Sequence, residues 1–420
     1  MSSRTAVLAG WLARAVVVIC GLLNTRLLLS IMAVPDYAAY AIVISLGPWV
    51  NLLNLGLPNT VQNEIAERRA RSEDFGALHQ TVVNATVLGA LVLCVFSWPL
   101  GEVLRYTVLS GYDGLSVTSI ALMCVGLSLN GLGMVANQVL FALHRSFWPN
   151  VMPGIQALTT TLLLQAFRAT DLTGFDWAAL SFVLPAALSF VLMSRVARAR
   201  PLHGVDLTLL LEMLRRSRSF LLLAILTAAT VSVDYVVMAR MLTGPQVVEY
   251  SLAGKIFAVP LSVHSVLMAT SWTGLSDAHY QGNYILVRRR IKRLLIVGIV
   301  VVLVPSAVIL MFKELIFGII TGQKNFAISN SLLGAWVLYL VLRIWCDTFA
   351  MAHLSAGRQT LLNGYIPFQA GISICAQIFF GHHFGAVGVM LGLCASFVLT
   401  AAWILPMRFF QQTRSVPSLP

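Results

Sequence analysis

Acid is scarce in this 420-residue chain: 16 Asp and Glu stand against 28 Lys and Arg, and only 10% of its residues are charged. It also lacks any polar stretch long enough to fold as a separate water-soluble domain. No His-Glu-x-x-His, no Walker-type phosphate loop and no Asp-x-Asp pair occurs. Those absences remove the sequence signatures of zinc hydrolases, nucleotide hydrolases and metal-dependent glycosyl transfer. The six cysteines (Cys20, Cys94, Cys124, Cys346, Cys375 and Cys394) all fall inside apolar runs without metal-type spacing, and read as small packing residues. The histidines are scattered. His382–His383 reads either as a metal-binding pair or as a plain solvated turn. The inventory points away from an enzyme, and no metal or cofactor is expected.

What the chain does have is apolar length. A sequence that is 58% hydrophobic, with a mean hydropathy of +0.84, cannot hide those side chains in a soluble core. Each membrane crossing takes about 20 residues. The apolar runs lie near 7–33, 37–63, 79–108, 115–143, 150–169, 176–196, 219–242, 246–275, 293–318, 328–355, 360–380 and 385–408, which predicts an all-α polytopic membrane protein of twelve spans. The first run is interrupted by Arg14, Asn24 and Arg26, unlike a cleaved signal segment, so it is expected to be retained. The net charge of +12 would suggest nucleic acid in a soluble protein. Here it reads as topology determinants facing anionic membrane lipid, with no nucleic-acid partner.

The cations alternate between gaps. Arg68, Arg69 and Arg71 fill one gap, Arg145 another, and Arg195, Arg198, Arg200, Arg215, Arg216 and Arg218 a third. Arg288, Arg289, Arg290, Lys292 and Arg293 fill a fourth, and Arg358 a fifth. The gaps between them, near Asp36, Gly111–Asp113, Thr173–Gly174, Gly244–Pro245 and Gly381–Gly385, carry almost no cation, Lys324 excepted. With Arg4, Arg408 and Arg414 added, 19 of the 28 cations share one face. By the positive-inside rule that face is the cytoplasm, both termini lie on it, and the number of spans is even.

The longest cytoplasmic connection divides the chain. Residues 1–196 are expected to form an N-terminal six-helix lobe, 197–218 a basic linker, 219–410 a C-terminal six-helix lobe and 411–420 a cytoplasmic tail. Within the linker, Val205–Arg218 reads either as a helix lying in the membrane interface or as an N-terminal extension of the seventh span. Sliding the chain by 210 residues places Pro35 on Pro245 and Tyr40 on Tyr250, each pair at corresponding points of a short hairpin. It also sets Asn24 on Asp234 and Ser45 on Lys255, and a slide of 213 sets Asn130 on Arg343. Two halves in the same orientation would be parallel repeats about an axis along the membrane normal.

A charge at the bilayer centre costs about 2.5–3.5 kcal/mol on insertion scales, so each one needs a reason. Asp234 has no cation one helical turn ahead, and reads either as a lumen-facing group pairing with Arg26 or Lys255 or as half of a structural salt bridge. Arg343 and Asp347, four apart, either neutralise one another or sit in a cavity network. Arg14 is expected to snorkel to headgroups, and Arg26, beside Asn24, to face a cavity. Arg26, Arg240, Lys255 and Arg343 outnumber Asp234 and Asp347 by two cations. That surplus suits an anionic ligand, and arginine matches phosphate geometry. Uncharged polar residues, dense over Asn51–Asn63 and present as Asn130, Asn137 and Gln138, read as inter-helix hydrogen bonds or as the wall of a wet vestibule.

The stretch VDYVVMARMLTGPQVVEYSLAGKI (233–256) resembles the seventh-to-eighth-span hairpin of Wzx-type flippases for lipid-linked oligosaccharides, within the multidrug/oligosaccharidyl-lipid/polysaccharide exporter superfamily. Asp234, Tyr250, Ser251, Ala253 and Lys255 carry the likeness, and DYAAYAIVISLGPWVNLLNLGLPNTVQNEIAERRA (36–70) resembles the first hairpin. The resemblance implies two six-helix lobes around a central cavity open alternately to either side of the bacterial cytoplasmic membrane, carrying an undecaprenyl-diphosphate oligosaccharide for surface polysaccharide (O-antigen) assembly. It implies Arg26, Arg240, Lys255 and Arg343 at the diphosphate or acidic sugars, Asp234 and Asp347 in ion coupling to H+ or Na+, and Asn24, Asn130 and Tyr250 as further polar cavity residues. Polysaccharide polymerase and chain-length proteins are implied as partners. Asn24 and Ser45 are uncharged where the second half has Asp234 and Lys255, which moves the expected coupling to the C-terminal lobe. The competing readings are a multidrug or cation antiporter of the same superfamily and a non-transporting scaffold of a polysaccharide synthesis complex.

Overall fold

In a computed structural model, residues 3–112, 114–198, 204–322, 328–356 and 359–414 are described, and every regular element among them is helical. Helices satisfy each backbone N–H and C=O within the segment, which hydrocarbon demands. Arg200, Lys324, Arg358 and Asp113 lie outside the described residues, as do the side chains of Arg4 and Arg414. Among the described residues eight helices are long and apolar enough to cross a membrane, or up to ten if each of two bent helix pairs is one span. The described residues are therefore all-helical and multi-span, as the composition requires.

The chain divides into two compact units, Met1–Ala228 and Ala229–Pro420. In the first, the Val117–Ala142 helix lies at the centre, with 72% of its apolar window buried against 17% for Gly76–Thr107. The latter turns Leu88, Leu91, Val95 and Phe96 outward. An exposed apolar stripe of that length is a lipid-facing surface. The Ser3–Ile31 helix packs along Phe147–Ala169, and the Gly174 N–H donates to the Ile31 carbonyl at 2.7 Å.

Short hairpins open both units as the sequence predicts. Pro35 and Pro245 each occupy the first turn of the helix that follows the turn, where a missing N–H costs nothing. Thr243 and Gln246 close a capping box at the second hairpin. In the last long helical stretch, Gly385 (φ 60°, ψ −139°) breaks the chain into two legs. A Cβ at Gly392 would meet the Gln377 backbone N at 2.5 Å, so the legs approach at a distance only glycine permits.

Three expectations need correction. The second span is not one helix. It runs as Val34–Ser45, Gly47–Val50, a 3-10 turn Asn51–Asn54 and Leu57–Ala70, with a 50° bend. The break lies at Leu55 (φ 55°) and Gly56 (φ 72°), where the Asn54 side chain accepts from the Gly56 N–H at 3.0 Å. An Asx turn thus replaces helical pairing. The seventh span begins well before residue 219: Leu207–Val231 is a single helix, the extension reading of the linker, and a 40° bend then leads into Asp234–Met241. Finally, Arg288–Arg293 do not form a loop but lie inside the Tyr284–Met311 helix. Contacts inside the first unit fix the start of the Leu207–Val231 helix. Arg216 pairs with Glu64 at 2.6 Å, Arg68 holds the other oxygen of the same carboxylate at 2.9 Å, and the Ser217 hydroxyl donates to Leu55 O at 2.8 Å.

Gly56 has a measurable consequence. A Cβ there would stand 2.8 Å from both Leu221 N and Ser217 O, whereas at Gly282 (φ 68°) nothing lies within 4 Å. Gly282→Ala should cost only the left-handed backbone term, about 1–2 kcal/mol. Gly56→Ala should cost about 1–3 kcal/mol more for overpacking. Thermal unfolding of the detergent-purified variants checks the order, and equal melting temperatures would remove the close approach from the account.

Candidate functional site

The bend after Val231 decides the setting of Asp234. Ser232 and Val233 interrupt the helix, so Asp234 becomes the first residue of Asp234–Met241 rather than a mid-helix charge. Its Oδ1 accepts the Tyr235 N–H at 2.9 Å, one of the donors that a helix start leaves unpaired. Its Oδ2 accepts the hydroxyl of Tyr250 at 2.7 Å. Asp234 is buried and Tyr250 fully so.

From Tyr250 an aromatic chain runs through the second unit. The Tyr250 ring lies 5.5 Å from Tyr235 and 5.2 Å from Trp336, Trp336 lies 5.7 Å from Tyr339, and Tyr339 lies 6.0 Å from Phe397. The guanidinium of Arg343 stands 5.8 Å over the Phe397 ring, and its Nε donates to Asp347 Oδ2 at 2.7 Å. Gly254 makes room for the chain: an added Cβ would touch the Trp336 ring at 3.0 Å. Two candidate pairs, Asp234 with Tyr250 and Arg343 with Asp347, are thereby joined by tilted and edge-on rings. Arg343 and Asp347 are each about a quarter exposed, at 25% and 24%. A guanidinium bound through Nε keeps its outer nitrogens for a second acceptor such as phosphate.

The other candidates fall elsewhere. Arg240, in the last turn of Asp234–Met241, is exposed, and Lys255 on Gly244–Tyr280 is half-buried. In the first unit Arg26 is exposed. Asn24 accepts from the Thr161 hydroxyl at 2.7 Å and Asn130 from the Gln156 amide at 3.1 Å, so both make inter-helix hydrogen bonds. Arg14 is exposed, with its guanidinium 6.0 Å from the Trp11 ring.

Trp336, Tyr339, Phe397 and His264 are not among the site residues expected from the sequence. Trp336, Tyr339 and Arg343 repeat at i, i+3 and i+7, one face of a helix, so that signal was available. His264 is fully buried, within electrostatic reach of Asp347, and neither ring nitrogen has a hydrogen-bond partner among the described residues. As one of eight scattered histidines it carried no pattern.

No protein-family model matches the chain. A Yersinia pseudotuberculosis protein named "Putative O-antigen export protein" is 25% identical over 412 residues, covering 96% of this chain and 94% of its own length. Among solved structures, an inward-facing multidrug-resistance MATE transporter of the MOP superfamily superimposes with a TM-score of 0.76 at 14% identity, covering 96% of both chains. The lipid II flippase MurJ in an inward closed conformation gives 0.73 at 14% identity, covering 96% of this chain and 89% of its own. The chain shares its fold with these two proteins. The resemblance carried by the two hairpins is borne out at full length, and the relative and neighbours are transporters and flippases rather than enzymes. The chain is a multi-pass protein of the bacterial inner membrane. The MOP fold by itself does not separate drug export from lipid flipping, since MATE and MurJ share it.

Proposed function

We propose that this protein is a flippase that moves an undecaprenyl-diphosphate-linked oligosaccharide from the inner to the outer leaflet of the cytoplasmic membrane, supplying O-antigen-type polysaccharide assembly. The observation that carries the reading is the match of almost the whole chain to a protein named for O-antigen export. The surplus of membrane cations supports an anionic cargo over a cationic drug. In this reading the chain crosses the membrane twelve times with both termini cytoplasmic. A lobe of residues 1–196, a basic connection of 197–218 and a lobe of 219–410 enclose a central cavity, and 411–420 is a tail. Arg26, Arg240, Lys255 and Arg343 contact the diphosphate or acidic sugars. Asp234 and Asp347 couple transport to an H+ or Na+ gradient, and Asn24, Asn130 and Tyr250 add polar contacts. Polymerase and chain-length proteins receive the flipped cargo.

Deleting the gene from its own bacterium should abolish long surface polysaccharide and leave the cargo on the inner leaflet, with recovery on re-expression. Unchanged polysaccharide together with heightened sensitivity to cationic dyes would replace this reading with the drug antiporter. Full polysaccharide recovery by a variant lacking all four cavity cations would replace it with the scaffold.

A further inference from the structure

The basic run Arg288–Arg293 is the densest in the chain, and neither the transport route nor a loop accounts for it. Being helical, it presents its residues in a fixed order around Tyr284–Met311. Within the second unit Arg290 and Arg293 turn toward the Gly244–Tyr280 helix and, with Ser271 and Gly274, line one end of a cavity of about 450 Å³. Leu267, Leu294 and Val297 line the rest. Arg290 donates one guanidinium nitrogen to the Gly274 carbonyl, which fixes the group in place and leaves its remaining donors free. No carboxylate forms an ion pair with Arg290 or Arg293 among the described residues.

The sequence changes character at this point. After Arg293 the helix runs Leu-Leu-Ile-Val-Gly-Ile-Val-Val-Val-Leu-Val without a charge, so Arg293 stands at the level where headgroup gives way to hydrocarbon. The cavity therefore has a cationic, hydroxyl-bearing end at phosphate depth and an apolar wall leading into the membrane. Basic pockets between transmembrane helices on the cytoplasmic side are suited to anionic lipid headgroups.

We infer that the Arg290–Arg293 cavity is a binding site for an anionic glycerophospholipid of the cytoplasmic leaflet. The lipid phosphate lies between the two guanidinium groups and Ser271, and one acyl chain lies along Leu267, Leu294 and Val297. A free phosphate would use only the cationic end, and a zwitterionic lipid would bring its own cation against the arginines. The site is independent of the flippase reading: a drug antiporter with this sequence would hold the same lipid.

The test uses the full-length protein in nanodiscs of equal phosphatidylglycerol and phosphatidylcholine, with co-purifying lipid counted by native mass spectrometry after detergent extraction. The wild-type protein should retain phosphatidylglycerol selectively. Arg293→Gln should lower that retention about fivefold, the effect of one interfacial cation. Lys292→Gln, which removes the same charge next door but outside the cavity, should leave it unchanged. Equal losses in the two variants, or none in either, would overturn the site in favour of diffuse attraction. Inorganic phosphate should not displace the lipid, and displacement would refute the acyl-chain contact. Polyprenyl diphosphate should not compete one-for-one, and such competition would reassign the cavity to the transported cargo.

Discussion

Asp234→Asn should lower glycan export about tenfold or more, since coupling energies of about 1–3 kcal/mol correspond to 5–150-fold effects. The amount of protein in the membrane should change far less. Asparagine keeps the shape of the carboxylate: its oxygen accepts from the Tyr235 N–H, held natively at 2.9 Å, and its amide nitrogen, standing in for Oδ2, donates to the Tyr250 hydroxyl oxygen, held natively at 2.7 Å. What is lost is the charge, the ability to exchange a proton or hold a cation, and the acceptor for the Tyr250 O–H. Asp234→Ala differs in kind, because it also strands the fully buried Tyr250 hydroxyl at a cost of about 1–3 kcal/mol. That variant should lose both protein level and export. Tyr250→Phe keeps the ring between Tyr235 and Trp336 but withdraws the donor, so its export should fall between wild type and Asp234→Asn. Export per molecule, measured as surface polysaccharide divided by membrane-inserted protein, separates the cases. Full export by Asp234→Asn would make this carboxylate a structural acceptor and nothing more.

Much of the fold was legible because hydrocarbon leaves few options. Apolar length forced helices, and Pro35, Pro245 and Gly385 marked turns through their backbone chemistry. What stayed hidden were breaks inside apolar runs. Hydropathy reports average composition and is blind to two consecutive left-handed residues at Leu55–Gly56 or to the interruption at Ser232–Val233. Cap-type residues within the runs, Asn54 and the Ser232–Asp234 triplet, were the local signals. The candidate site was legible in part. Asp234, Tyr250, Arg343 and Asp347 were singled out individually. Their linkage depends on Trp336, Tyr339 and Phe397, whose long-range contacts no spacing along one helix reveals. Sequence spacing offers Arg26 or Lys255 as a partner for Asp234, whereas in the structure its carboxylate accepts from the Tyr250 phenol, because the bend turns it toward the start of its own helix. Asn24 and Asn130 each make an inter-helix hydrogen bond, the ordinary use of a polar residue between membrane helices.

The Arg343–Asp347 pair carries the second large effect, and only a double substitution separates its two readings. Removing one member alone, as in Arg343→Met or Asp347→Leu, leaves a charge without its partner. Breaking a fully buried pair costs about 3–5 kcal/mol. With each side chain about a quarter exposed, some of that is relieved by solvation, and about 1–3 kcal/mol is the expected loss of stability for either single variant. The double variant Arg343→Met/Asp347→Leu removes both charges and replaces them with apolar volume beside Phe397, which commonly restores or improves stability. If the pair only ties the helix together, export should return along with stability. If the outer nitrogens of Arg343 meet a phosphate of the cargo, the double variant should be as stable as wild type and still fail to export. The second outcome is the one expected here, because the arginine is bound to Asp347 through Nε and its position over an aromatic face fixes the guanidinium plane without occupying its outer edge. A stable double variant with wild-type export would take Arg343 out of the cargo path and leave the anionic ligand to Arg26, Arg240 and Lys255.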